Sequence, residues 1–302
     1  MKNLPSEGIP VPGTYHQSTD IRVDLFKRTY LVHVPTGYGG DTPVPLMVVL
    51  HGAFSTGEDM HRDSGFSSLA DREGFIVLYP NGIGLFGWLR HWNSGHCCGR
   101  AKQAQVDDVA FVEAVVEEVR GRLLVDPGRI YVAGHSNGGM LAYRLAAEKS
   151  EKFAAAAAVS ATIGGKPSVE EAPWQIPAPA KPVPVIVIHG KNDDKVPYDG
   201  GPDPRSDNGR TWMSIADSVA FWRKHNGCKE PAATKRLGQG RVLVQTWSDA
   251  QRRAPVGLYI LEDWGHGWPG ASAVSAMGSN PLKGFDAAEA IWDFVKDYRR
   301  TQ

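Results

Sequence analysis

Apolar side chains in this chain fall into short blocks of two kinds, and the two kinds alternate. Thr29-Tyr30-Leu31-Val32-His33-Val34 alternates with the period of a strand and suits an antiparallel strand on the edge side of a sheet. Residues 45–50, 75–79, 130–133, 154–159, 183–188 and 258–261 are almost continuously apolar, as strands covered on both faces must be. Between them the apolar positions move to helical spacing. Val109, Val112, Val115, Val116 and Val119 follow an Asp107-Asp108 cap, and 140–147, 212–225 and 285–298 read the same way. Strands alternating with helices predict an α/β fold, a mostly parallel central sheet with helices on both faces and no large cap inserted. The 302 residues are read as a single catalytic domain, with about 1–25 as an N-terminal extension.

Three long connections, 80–106, 162–182 and 194–210, interrupt that rhythm. Each leaves from the carboxyl end of an expected parallel strand, where ligands bind in such sheets. Trp88, Trp92, Trp174, Trp212, Trp264 and Trp268 lie in or beside these loops. Most are expected to pack beneath them; Trp92 and Trp268 are the candidates for a substrate-facing wall.

The chemistry starts at Gly134-His135-Ser136-Asn137-Gly138, which joins an expected strand to an expected helix. Such a strand-turn-helix places a serine hydroxyl at the top of a parallel sheet, and a Cβ at either glycine would strike the neighbouring strand or helix. A serine hydroxyl needs a general base, and the base needs a carboxylate to orient it. On this fold the acid and the histidine follow the serine in chain order, each after a strand. Asp193 and its neighbour Asp194 follow the 183–188 strand, and His266 follows the last strand between Gly265 and Gly267. The oxyanion of a tetrahedral intermediate needs two N–H donors. The backbone of Asn137 and that of Ala53, in His51-Gly52-Ala53-Phe54, stand in the right places. His135 is expected to pack or hydrogen-bond around the turn. His51 and His189 close strands and are expected to bond loop backbones, and His51 is also carried as a candidate substrate-binding residue.

At this point the chain resembles the esterases of the poly(3-hydroxybutyrate) depolymerase and feruloyl esterase family within the α/β-hydrolase superfamily. The motifs that carry the resemblance are Leu50-His51-Gly52, Trp92-Asn93-Ser94-Gly95-His96-Cys97-Cys98-Gly99 and Val106-Asp107-Asp108-Val109-Ala110-Phe111. Asp126-Pro127-Gly128-Arg129-Ile130-Tyr131, the serine turn itself, His189-Gly190-Lys191-Asn192-Asp193 and Gly265-His266-Gly267-Trp268-Pro269-Gly270 complete the set. The resemblance implies Ser136, Asp193 and His266 as a catalytic triad, Asp193 being preferred to Asp194 on the family's spacing. It also implies no cofactor and the hydrolysis of carboxylic esters: feruloyl, aryl or acetyl esters of plant polysaccharide, or short polyester chains. It points to a secreted or periplasmic enzyme whose leader is absent from this sequence, with a cytoplasmic one as the alternative.

Composition narrows the picture by exclusion. Thirty-three basic residues balance thirty-three acidic ones, which leaves no electrostatic footprint for nucleic acid. No apolar run is long enough to span a bilayer, and the start has no apolar signal-peptide core. Three cysteines make no disulfide framework, and no metal-ligand spacing is present. The family's usual partners for Cys228 and for at least one of Cys97 and Cys98 are missing, leaving either a vicinal disulfide between those two or free thiols. A monomer is expected. Two other classes compete with the esterase reading: another acyl-transfer hydrolase of the same fold, such as a peptidase or thioesterase, and a non-catalytic binding member. Intact triad residues in the right order argue against the second, and the family motifs against the first.

Overall fold

Every second side chain of the central strands points to one face of the sheet, and each face is apolar enough to need its own cover. The computed structural model describes residues 3–5, 8–23, 25–84, 89–229, 232–251, 253–270, 282 and 284–300. Ten strands form one sheet: β1 (Gly13–Val23), β2 (Phe26–Val34), β3 (Val44–Leu50), β4 (Ile76–Pro80), β5 (Val125–His135), β6 (Ala155–Val159), β9 (Val185–Gly190), β12 (Ala233–Leu237), β13 (Val242–Trp247) and β14 (Val256–Leu261). Their order is β1-β2-β4-β3-β5-β6-β9-β14-β13-β12. The six from β4 to β14 run parallel, and antiparallel pairs close both edges.

Val48, Val132, Ala156 and Val187 face one core, covered by α4 (Asp108–Arg120), α5 (Asn137–Glu148) and α6 (Ile215–His225). Met47, Tyr131, Ala157 and Ile186 face the other, covered by α1 (Gly57–Asp63), α2 (Phe66–Glu73) and α7 (Ala287–Val295). The apolar runs of the sequence are the strands that need both covers, which is why they read continuously.

Three expectations are corrected. Residues 13–23, assigned to an N-terminal extension, form β1 and pair antiparallel with β2 as a sheet edge. The helix expected from 212 starts at Ile215 under a Ser214 cap, and Trp212 instead lies in β11 (Thr211–Trp212). The helix expected over 285–298 is shorter, capped by Asp286 and ending at Val295. The long connections also carry structure of their own. α3 (Gly99–Gln103) lies in the first, and β7 (Gly164–Lys166), β8 (Trp174–Gln175) and β10 (Gly201–Pro202) join β11 in a second sheet ordered β10-β11-β7-β8. Among the described residues no helix is long and apolar enough to cross a membrane.

Candidate active site

β5 ends at His135 and α5 begins at Asn137, so Ser136 alone makes the turn from strand to helix. It does so at φ 51° and ψ −121°, a backbone region that costs a non-glycine residue about 1–3 kcal/mol and persists only when its surroundings impose it. The imposing contacts are visible. Ser136 N–H donates to Val159 O on β6 at 2.8 Å, and Ser136 O accepts from Met140 N–H at 2.9 Å. A Cβ on Gly134 would run into the Gly138 backbone, and one on Gly138 into the carbonyls of Leu50 and His51. The turn can therefore sit tight between β3 and α5 only with both glycines present.

The loop after β14 brings His266 to that serine. His266 Nε2 lies 2.8 Å from Ser136 Oγ, while Nδ1 lies 2.9 and 2.8 Å from the two carboxylate oxygens of Asp193. A ring nitrogen facing a carboxylate carries the proton, so Nδ1–H donates to Asp193 and Nε2 is left to accept from the serine hydroxyl. Asp193 is buried and Asp194 is exposed, so only the first reaches the histidine. The Asp193 Oδ1 atom also accepts the backbone N–H groups of Lys195 at 2.9 Å and Val196 at 2.8 Å. Behind it, His189 Nε2 stands 3.2 Å from Oδ2 and 2.9 Å from Val196 O. Burial pushes the Asp193 carboxyl up, but hydrogen bonds from His189 and His266 outweigh it and hold the group well below the usual carboxylate range. His266 moves down from its ordinary value because burial penalises the imidazolium more than Asp193 supports it.

Two further histidines brace these loops. His135 Nε2–H donates to His266 O at 2.7 Å, tying the His266 backbone to the serine turn, and burial pushes the His135 pKa down to about 3. His51 donates from Nδ1–H to Gly52 O at 2.7 Å and accepts Gly82 N–H at Nε2, 2.9 Å away. It is fully buried, which corrects the substrate-binding role offered for it and fits the loop-bonding one.

Trp92 and Trp268 also require correction as a substrate wall, because both are fully buried with their indole N–H groups engaged. Trp92 Nε1–H donates to His51 O at 2.9 Å and Trp268 Nε1–H to Ser64 O at 3.1 Å. A buried indole needs such a partner, and here each partner is a loop carbonyl that the ring then fixes in place. Alanine at either position should cost about 3–5 kcal/mol of stability. Thermal melts should show it, with aryl and acetyl esters losing activity in equal proportion; a loss selective for aryl esters would restore the wall. Trp174 is half-buried and stacks on His96, Trp212 and Trp264 are buried, and Trp88 lies outside the described residues.

The loops around Ser136 are anchored by a contact the sequence did not suggest. The Asn137 side chain pairs with the Trp92 backbone in both directions, accepting N–H at 2.7 Å and donating to O at 3.0 Å. The next residue, Asn93, donates its N–H to Asp108 at 2.7 Å, and Asp108 is paired with Arg28 at 2.7 Å in the interior. Asn137 opens α5, where backbone N–H groups have no acceptor within the helix. Ala53 lies beside Ser136 in the same cavity, and its loop is held by Phe54 N–H on Arg90 O at 2.8 Å. That cavity measures about 310 Å³, and Phe54, Lys195 and Arg205, none of them singled out from the sequence, also line it. Phe54 was the most accessible of these to sequence reasoning, being adjacent to Ala53. Cys97 and Cys98 are paired with each other, and Cys228 is a free thiol.

Residues 28–201 match the family described as Esterase PHB depolymerase. Feruloyl esterase B of Piromyces equi is 29% identical over 274 residues, covering 90% of this chain but only 45% of that longer protein. An acetyl xylan esterase from Aspergillus awamori superposes with a TM-score of 0.62 at 15% identity, over 93% of this chain and 98% of that one. A ferulic acid esterase from Anaeromyces mucronatus, solved with ferulic acid, gives 0.56 at 14% identity over 98% and 94%. At such identities the likeness speaks to fold, and the fold is that of the α/β hydrolases.

Proposed function

This chain belongs to the Esterase PHB depolymerase family and is a carboxylic ester hydrolase; from that premise we propose that Ser136, His266 and Asp193 are its catalytic triad. One observation carries the proposal: the unbroken hydrogen-bond chain from Ser136 Oγ through the His266 ring to a buried Asp193, at a cavity open to ligand. As His266 Nε2 takes the hydroxyl proton, Oγ bonds to the ester carbonyl carbon. The carbonyl oxygen becomes an oxyanion held by the backbone N–H groups of Ala53 and Asn137. His266 then passes the proton to the alcohol oxygen, the carbon–oxygen bond breaks, and an acyl-serine remains. Water repeats the sequence: His266 takes its proton, its oxygen attacks the acyl carbon, and the bond to Oγ breaks with the proton returned to Ser136. Asp193 stays ionised throughout and stabilises the imidazolium.

For substrates, the reading is aryl or acetyl esters of plant polysaccharide, in keeping with the relatives' names, or short polyester chains, in keeping with the family's. The whole chain acts as one catalytic domain. A fluorophosphonate probe should label Ser136 covalently in the intact protein, and an ester panel with matched amides and thioesters should be cleaved at the oxygen esters. Absence of labelling, or amide cleavage ahead of ester cleavage, would overturn the reading.

The pH dependence follows from the direction of the His266 shift. Protonated imidazole cannot accept the serine proton, so kcat/KM should rise with pH through one ionisation, with its midpoint below the ordinary histidine value of about 6.5. His51 and His135, held at about 3, stay neutral across that range and add no second step. A midpoint above 7 in a pH–rate series would contradict this assignment of the base.

A further inference from the structure

The cavity over Ser136 is lined by two unlike kinds of side chain. One is the aromatic Phe54, 66% exposed, its ring edge-on to His91 at 4.6 Å between centroids. The other is the cationic pair Lys195 and Arg205, both exposed. The Lys195 ammonium makes no hydrogen bond or ion pair with the described residues, yet it acts on the imidazoles of both His266 and His135, disfavouring their protonated forms. Arg205 is oriented: its Nε lies 3.3 Å from Asp203 Oδ1, and its Nη2–H donates to Lys195 O at 3.2 Å. Asp203 is itself shared with Arg210, 3.6 Å away, so one carboxylate serves two guanidinium groups. Asp59, the single carboxylate among the described lining residues, is engaged elsewhere. It closes the cap of α1 through Thr56 and bonds Ser55 and Arg62. The described lining therefore carries more positive than negative charge, together with an exposed aromatic ring, in the same cavity as the reacting serine.

Resting on the esterase reading above, we infer that these two cations recognise a carboxylate on the substrate, so that the preferred esters are anionic, with the negative group on Lys195 and Arg205. Phe54 receives the apolar part between that carboxylate and the scissile carbonyl. A guanidinium already aimed by Asp203 and by a backbone carbonyl loses little freedom on binding, and a lysine without a partner gives up no existing ion pair. Because both cations are exposed, the preference is moderate and sensitive to salt.

Matched pairs test this and tell which half of the ester carries the charge. For the acyl side, the para-nitrophenyl monoester of adipic acid is compared with para-nitrophenyl hexanoate. For the alcohol side, para-acetoxybenzoate is compared with its methyl ester. The anionic member of at least one pair should be preferred in kcat/KM by about threefold to tenfold at low ionic strength, falling toward parity in high salt. Lys195→Ala and Arg205→Gln should each shrink that ratio, and Lys195→Glu should invert it. Ratios are read on the alkaline plateau, where any change in the His266 ionisation cancels. Neutral esters cleaved with flat ratios in the parent, or a ratio that survives Lys195→Glu, would overturn the inference while leaving the triad standing. No cleavage of any ester would overturn both.

Discussion

Ser136→Ala should lower kcat for ester hydrolysis by about 10⁴-fold or more while leaving the protein folded. The size follows from what remains. Without Oγ, the proposed Ala53 and Asn137 donors can still polarise a bound ester and His266 remains, but no nucleophile is held against the carbonyl carbon and no acyl intermediate forms. The fold should persist because Ser136 is only half-buried and, among the described residues, its side chain bonds His266 alone, the turn being imposed by backbone bonds to Val159 and Met140. Alanine inherits the strained φ of 51°, so the melting temperature should stay near the parent's. Ser136→Gly separates the two effects. Glycine enters that region freely, so the same loss of activity should come with a gain of about 1 kcal/mol in stability. Steady-state kinetics and thermal melts on both variants check this; residual activity within tenfold of the parent would remove Ser136 from its role.

That strain marks where reading the sequence worked and where it stopped. The serine turn was legible because its glycines are demanded by contacts within a few residues, and its strand and helix announce themselves by periodicity. The partners His266 and Asp193 were legible by chain order, since the ends of parallel strands meet at one edge. Trp92 and Trp268 misled because an aromatic residue beside a catalytic loop looks the same whether it faces ligand or core; only the indole bonds to His51 and Ser64 distinguish the two. β1 was missed because its Gly-Thr-Tyr-His-Gln-Ser-Thr-Asp pattern is polar, as an edge strand covered by little can be. Likewise β12, exposed along nearly all its length, carries no apolar signal. The cationic part of the cavity lining arises from loops whose positions depend on the second small sheet, which sequence periodicity over two- and three-residue strands cannot reveal.

Asp193→Asn should cost about 10³- to 10⁴-fold in kcat, against no more than a few-fold for Asp194→Asn. The asymmetry is a matter of hydrogen-bond polarity. Asp193 Oδ1 accepts two backbone N–H groups, from Lys195 and Val196, and these will hold the carbonyl oxygen of an asparagine in the same place. The amide nitrogen must then occupy the position of Oδ2, which faces His266 Nδ1 at 2.8 Å and His189 Nε2 at 3.2 Å. An NH₂ group there donates to Nδ1, moving the imidazole proton to Nε2, the atom that has to accept from Ser136. The base is then present, in position, and in the wrong tautomer. The variant also removes the anion that supports His266 as a cation, so its residual activity should rise with pH at a lower midpoint than the parent's. Asp194 is exposed and lies outside this chain of bonds, so its amide changes little. A kcat series with a pH profile for each variant decides the matter; equal losses at the two positions, or a midpoint that moves up in Asp193→Asn, would show that Asp193 does not orient the base.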